Sequence, residues 1–523
     1  MRQPSLLNRP DSRMYRPLLH LVTASAIISR GRIKVSVSMH RTRRIVMIHA
    51  VLLFAAIVAV LPAPCLAVEF LARTADEISF ALRKASPGDT VVLINGVWTD
   101  QYIRFEGEGT ELAPLVLRAQ TPGQVLLTGN SRLDISGHWL VADGLRFEDG
   151  ALESGQHVIR FTGKKGEAAN SRLTNVAIVN YNPKDPSTRY FWVSLFGQNN
   201  RLDHSRFEGQ NHSGVTVVVW RKSGVRDGHI IEYNHFLNRA PGDGNGFETI
   251  RIGTSDSESS DSGTVVQYNL FERTNGEIEI ISVKSGDNDI RANTFRQAAG
   301  TVTLRRGDGN RVTGNFFLGD HADGSGGIRV MGSGHLIVNN YLQNLAGRTG
   351  AGIVFSCGHA DNRPAGNSPV TNVVVAHNTL VHNSKAAFKL DAGCGTQDRT
   401  VRPVNVQIWN NLVSDQDGPL FDGLTGAGAV LAGNLFSGKD TSDLIQAGVV
   451  VIDQQLKLAP DDLWRPGLDS PARNAGVATG IVLPDMDGQE RDRAPDIGAD
   501  EYSLASVVNK PLSARDVGPN WIK

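Results

Sequence analysis

From about residue 138 the apolar positions fall in runs of three to six, rich in Val, Ile and Phe and closed by Gly, Asn or Asp. Runs this short and this β-branched read as strands rather than helices. Eight times a run leads into Asn, one residue, then a large apolar residue: Asn234 and Phe236, Asn269 and Phe271, Asn293 and Phe295, Asn315 and Phe317, Asn340 and Leu342, Asn378 and Leu380, Asn411 and Val413, Asn434 and Phe436. The successive Asn spacings are 35, 24, 22, 25, 38, 33 and 23, a period in the low twenties with insertions let out at intervals. Repetition of this kind marks a solenoid. Three short parallel strands per turn account for the period, with Asn side chains pairing along the axis at one corner and Phe or Leu stacked inside. The expected fold is therefore all-β, a right-handed parallel β-helix. Weaker copies around Phe147, Asn180 and Phe207 extend it upstream.

The ends depart from the repeat. Thr74 to Glu77 has the form of a capping box and leads into apolar residues at helical spacing, so a short capping helix is expected, with Val91 to Ile94 as the first strand. Residues 68–137 then form the N-terminal cap and first rungs, 138–440 the β-helix with the functional face, and 441–523 the last rungs, a cap and a loosely packed tail. Asp485, Asp487 and Asp496 lie close together in that cap without the spacing of a calcium-binding loop.

Residues 1–67 read as a leader and secretory signal peptide. Met39 to Arg44 is basic, Ile45 to Leu61 is apolar, and Cys65 to Ala67 offers small residues where a signal peptidase cleaves. Met39 is the better start; a membrane anchor is the competing reading, and Pro64 disfavours lipid attachment at Cys65. The expected location is secreted or periplasmic, with no stable membrane span after cleavage. Two cysteines then remain, Cys357 and Cys394, which form either one disulfide or a pair of buried thiols.

The zero formal charge averages two unlike parts. Residues 1–67 hold ten Lys or Arg and a single acid, leaving 43 basic and 52 acidic residues beyond them. An acidic chain is a poor general nucleic-acid binder, so no nucleic-acid partner is expected. A polyanionic ligand needs a local positive patch or a bound cation.

One stretch gathers such charges. In Asn275 to Lys284 (NGEIEIISVK), strand alternation sends Glu277 and Glu279 to one side and Ile278 and Ile280 to the other. Thr301 and Thr303 follow 24 residues later, and Arg305 and Arg329 are themselves 24 apart. Stacked rungs lie about 4.8 Å apart, so Glu277, Glu279, Arg305 and Arg329 are expected on one outer sheet. Arg251, between the inward Ile250 and Ile252, joins them, and Lys284 curls back over the surface. Two carboxylates and the amide of Asn245, one inserted rung earlier, are hard ligands suited to Ca²⁺.

This surface suits removal of a weakly acidic proton beside a carboxylate. A divalent cation on that carboxylate offsets the charge of the enolate-like intermediate, and positive neighbours favour the neutral amine that Lys284 needs as a base. An arginine on the far side could assist the departing 4-linked oxygen. At these residues, together with Asn245 to Arg251 (NGFETIR) and Gly326 to Arg329 (GGIR), the chain resembles polysaccharide lyase family 6, which holds alginate lyases and chondroitinase B. The resemblance implies Asn245, Glu277 and Glu279 as calcium ligands, Lys284 as Brønsted base, Arg305 as Brønsted acid, and Arg251 and Arg329 as substrate-holding residues. It departs at Arg306, where histidine is common in the family.

The implied partner is an acidic polysaccharide, alginate or alternatively dermatan sulfate, and the expected state is a monomer, with a dimer as the alternative. A β-helix glycoside hydrolase would need two flanking carboxyls without Lys and Arg. A non-catalytic carbohydrate-binding β-helix would have no use for Lys284 and Arg305 in this arrangement. His321, His335 and His359 are expected to be structural or rim residues. The arginines and lysine of the insertions, Arg221, Lys222, Arg226, Arg348 and Arg363, are too scattered to choose between the two polymers, and endo or exo action is not written in the sequence.

Overall fold

The computed structural model describes residues 26–29, 32–35 and 67–522, apart from 255–259, 362, 364–365, 424–427, 440–447 and 482. Most of the expected signal sequence lies outside the described residues. Ala26–Ser29 and Arg32–Val35 form a two-stranded antiparallel pair within a separate unit of the chain. No helix among the described residues is long and apolar enough to cross a membrane.

The strands from Glu69–Ala72 to Val449–Val451 form the expected right-handed parallel β-helix. Two sheets of fourteen strands and one of twelve run its length, and consecutive strands of the chain pass from sheet to sheet. The eight Asn residues stand in line at one corner. Each of the first seven donates its side-chain N–H to Oδ1 of the next at 2.9–3.0 Å. The same oxygens accept the backbone N–H of the preceding Asn at 3.0–3.1 Å. A turn that must bury its polar groups thus satisfies them rung by rung. Upstream, Ser205 takes over, accepting from Val176 N–H while its own N–H reaches Asn234. Two residues past each Asn the apolar side chain points inward. Phe207, Phe236, Phe271, Phe295 and Phe317 stack with centroids 5.2, 4.9, 4.7 and 4.6 Å apart.

The helix Ala75–Leu82 begins as expected, with Thr74 Oγ1 accepting Glu77 N–H. The strand reading is shifted by one element, because Glu69–Ala72 precedes the helix and pairs with Thr90–Leu93. The C-terminal residues also differ from the expected loose tail. After Val449–Val451, the last strand of its fourteen-stranded sheet, the chain turns back along the outside of that sheet. Trp464 N–H donates to the Tyr341 hydroxyl, Leu512 N–H to Thr294, Gly518 N–H to the Tyr233 carbonyl and Asn520 N–H to Asn175, each on an earlier rung than the last. The outward Phe316, Tyr341 and Val381 are buried beneath Leu463, Met486 and Ala499. Trp521 lies so close over Gly123, whose φ is +78°, that a Cβ there would meet the indole at 2.4 Å. Two of the cap aspartates serve backbone, Asp485 accepting from Asp487, Gln489 and Glu501 and Asp496 from Asn474 and Tyr502, while Asp487 pairs with Arg465.

Candidate active site

The twelve-stranded sheet carries the charged residues on its outer face. Arg251, Ser282, Thr303 and Arg329 occupy neighbouring positions on four successive strands. Around them the regular register breaks three times. Glu279 stands opposite Thr301 and Ile281 opposite Val302, so Ile280 is an extra residue. Val283 stands opposite Leu304 and Lys284 opposite Arg306, so Arg305 is an extra residue on its own strand. Gly326 and Gly327 together face Thr301 on the next rung. Bulges bend a strand and re-aim its side chains, and here they flank the residues that line the cleft.

These bulges correct the strict alternation expected from sequence. The strand begins at Glu279, and Glu277 precedes it. Ile278 does not face the core; it lines the cleft beside Glu277, whereas Ile280 is buried. Glu279 is level with Thr301 rather than Thr303, and Arg329 with Thr303 rather than Arg305. The residues nevertheless converge. A cleft of about 540 Å³ is lined by Gly242 to Asn245, Gly276 to Glu279, Lys284, Arg305, Arg306 and Arg348. Arg251 and Arg329 are outside this lining and sit largely buried on the rungs to either side.

The ionic contacts share one property. Lys284 Nζ is 3.7 Å and Arg251 Nη1 3.9 Å from Glu248 Oε1, while Arg305 Nε is 3.7 Å and Arg329 Nη1 3.6 Å from Glu279 Oε1. All four exceed hydrogen-bond range. Attraction holds the cations in place, yet these contacts leave the facing donors and acceptors uncommitted. Glu248 is fully buried and neither of its oxygens has a hydrogen-bond partner. Glu277 Oε2 accepts the backbone N–H groups of Gly246 at 2.9 Å and Phe247 at 3.2 Å, which fastens the loop carrying Asn245 to the cleft. Burial, then the neighbouring Glu248 and Glu279 carboxylates, pushes the Glu277 carboxyl up to about 7. Burial lowers Arg251 and Arg329 from the usual guanidinium range.

Two residues of the site were not singled out from sequence, and Arg348 was named there without a role. Glu248 lay inside a motif already marked, but it shares the parity of the inward Ile250 and Ile252. Asn367, whose Oδ1 accepts from Arg305 Nη1, comes from the long insertion after Ser356, and Arg348 comes from another. The loop bearing Asn367 is tied down by the Cys357–Cys394 disulfide, with Cα atoms 5.2 Å apart, and by Asn367 N–H donating to His359 Nδ1. His335 accepts Asn310 N–H and is structural, as expected.

Residues 72–467 match the chondroitinase B family. The chain belongs to that family. Among solved structures it is similar to AlyGC, an alginate lyase of polysaccharide lyase family 6, with 34% identity and a TM-score of 0.75. It is similar also to a mannuronic acid-specific polysaccharide family 6 lyase from human gut microbiota, at 29% identity and TM-score 0.67, covering 74% of this chain and 91% of that one. A third is the family 6 polysaccharide lyase Pedsa3628 of Pseudopedobacter saltans, at 26% identity and TM-score 0.65, covering 86% and 99%. The match to AlyGC covers 87% of this chain and 59% of AlyGC, so this family member spans little more than half of that relative. No curated protein matches the chain.

Proposed function

We propose that this family member is a lyase that cleaves a 4-linked uronate polysaccharide, alginate, by Ca²⁺-assisted β-elimination. The observation that carries the reading is the cleft itself: Lys284, Arg305 and the carboxylates of Glu277 and Glu279 line it together, with Arg305 3.7 Å from Glu279 and Lys284 3.7 Å from the buried Glu248, both beyond hydrogen-bond range. Lys284 takes the proton from C5. The electrons of that C–H bond form the C4–C5 double bond, the C4–O4 bond breaks, and Arg305 supplies a proton to the departing oxygen. Asn367 and Met331 Sδ, both bonded by Arg305 Nη1, orient that guanidinium. Arg251 and Arg329 hold carboxylates of the chain on either side.

The donor set fits a hard cation. Glu277, Glu279 and Asn245 offer oxygen ligands in one cleft, and burial, followed by the Glu248 and Glu279 carboxylates, raises the Glu277 carboxyl, so that a cation would favour its charged form. Among the described residues no three acids, histidines or cysteines are gathered closely enough to hold an ion alone, so the amide is needed to complete the set. Bound Ca²⁺ would supply positive charge to the carboxylate of the residue that loses its proton.

Alginate is favoured over dermatan sulfate because two of these similar structures are alginate or mannuronic acid lyases. The deciding experiment is ultraviolet absorbance of the new conjugated double bond on alginate, its mannuronate-rich and guluronate-rich blocks, and dermatan sulfate. Absorbance with dermatan sulfate alone overturns the substrate, and none with any polymer overturns the reaction.

A further inference from the structure

The outer face of the twelve-stranded sheet bears a second chemistry upstream of the cleft. Its outward column runs Asp134, Arg160, Ser194, Val218, Arg251, Ser282, Thr303 and Arg329. Around Ser194 and Val218 it turns aromatic. Phe196 stacks on Trp220 with centroids 5.9 Å apart and planes at 15°, and His157 stacks on Phe191 at 5.2 Å. Phe191 meets Trp220 edge-on at 5.3 Å. This cluster is separate from the interior core. Phe191 is buried, whereas Trp220, Phe196 and His157 are only half-buried. Ser194 Oγ pins two of the rings by their edges, accepting Trp220 Nε1–H at 3.1 Å and meeting His157 Nδ1 at 2.7 Å. Fixing the rings at their edges sets their orientation, while the stacks with Phe196 and Phe191 pack against one face each of Trp220 and His157.

Two arginines link the patch to residues beside the cleft. The Arg251 guanidinium lies 5.4 Å from the Trp220 ring centre and that of the exposed Arg189 5.9 Å from Phe191. Arg189 also lies beside Gly246, on the loop fastened by Glu277. Ring faces interleaved with guanidinium groups match a uronate chain, in which every residue has an apolar C–H face and a carboxylate. We propose that Trp220, Phe196 and His157, backed by Phe191, form a distal subsite on which sugar rings of the bound uronate chain stack. Trp220 is two rungs from Lys284 and His157 four, or about 10 to 19 Å at the usual strand spacing. Only substrates extending several residues from the scissile bond reach it.

The proposal rests on the uronate lyase reading and predicts a length effect. In Trp220→Leu, which keeps apolar bulk but loses the ring, and in Phe196→Ala, the ratio of kcat/KM on long alginate to that on a trisaccharide falls about tenfold. The fall comes mainly through KM on the polymer. Binding is read independently by titrating long uronate oligosaccharides into inactive Lys284→Ala, with and without Trp220→Leu. An unchanged length ratio together with unchanged binding overturns the platform. An equal loss on both lengths overturns it too, because Trp220 would then act only through Arg251. Wild-type protein inactive on every uronate polymer would instead remove the underlying function.

Discussion

The Asn corner and the cleft are built from similar polar groups put to opposite use. Along the corner every amide from Asn234 to Asn411 closes side-chain bonds at 2.9–3.0 Å, and its fourteen-stranded sheet runs from Arg206 to Val381 without a register shift. Across the cleft the corresponding ionic contacts stretch to 3.6–3.9 Å, Glu248 has no hydrogen bond, and three bulges fall on adjoining rungs. Polar groups that satisfy one another build a wall. Groups held near each other but uncommitted are a site, and their cost in stability is borne by the wall.

That contrast is testable from its strongest term downward. Lys284→Ala removes the base and should lower turnover about a thousandfold, read by double-bond absorbance, with little change in melting temperature. Adding Arg305→Ala should cost far less than a second thousandfold, since the two act in one step. A large drop in melting temperature for Lys284→Ala would break the contrast, because the cleft would then be structural as well.

Asn315→Ala is the converse. It strips Asn293 of the acceptor for both its side-chain and backbone N–H groups, and it removes the donor to Asn340. Leaving buried groups unpaired should cost about 3 kcal/mol, measured by denaturant unfolding, while turnover of the folded fraction stays the same. Turnover that fell in step with stability would show that the corner also sets cleft geometry.

The third term is the cation. Chelation should abolish activity and Ca²⁺ restore it. At a hundredfold excess over its dissociation constant, Ca²⁺ should stabilise the wild-type fold by about 2.7 kcal/mol. Glu277→Gln should lose most of that thermal shift. A shift of equal size in Glu277→Gln would place the ion elsewhere.

The corner was legible in the sequence because its chemistry repeats: eight Asn residues in phase fix rung, register and interior at once. The cleft was legible by residue type but not by geometry. Period-two counting has no way to register the single extra residues at Ile280 and Arg305, so it set Glu279 and Arg329 against the wrong neighbours. Glu248 escaped because its parity groups it with the inward Ile250 and Ile252, whereas its buried carboxylate lies 3.7 Å from Lys284 and 3.9 Å from Arg251. Asn367 is brought to Arg305 across 62 residues by a disulfide-tied loop, a contact without local periodicity. The docking of Trp521 on Gly123 spans nearly the whole solenoid and is equally invisible to local pattern.

The last term concerns what replaces Asn at another turn. Asn200 N–H donates to His229 Nδ1 at 3.1 Å, much as the corner Asn residues donate to the next amide. His229 is fully buried and its Nε2 has no partner. Burial, with the Arg221 charge adding to it, lowers its imidazole to about 3. The folded value lies below the unfolded one, so the stabilisation is complete above about pH 6.5 and is lost as pH falls towards about 3. The unfolded chain takes up the proton first, and stability should drop by at most about 1.4 kcal/mol per pH unit across that window. An amide does not titrate there, so His229→Asn, which keeps an acceptor for Asn200, should flatten the acid limb of the stability profile without changing stability above neutrality by more than about 1 kcal/mol. An acid limb of unchanged slope would assign the loss to other buried imidazoles, of which His212 and His377 are also lowered to about 3.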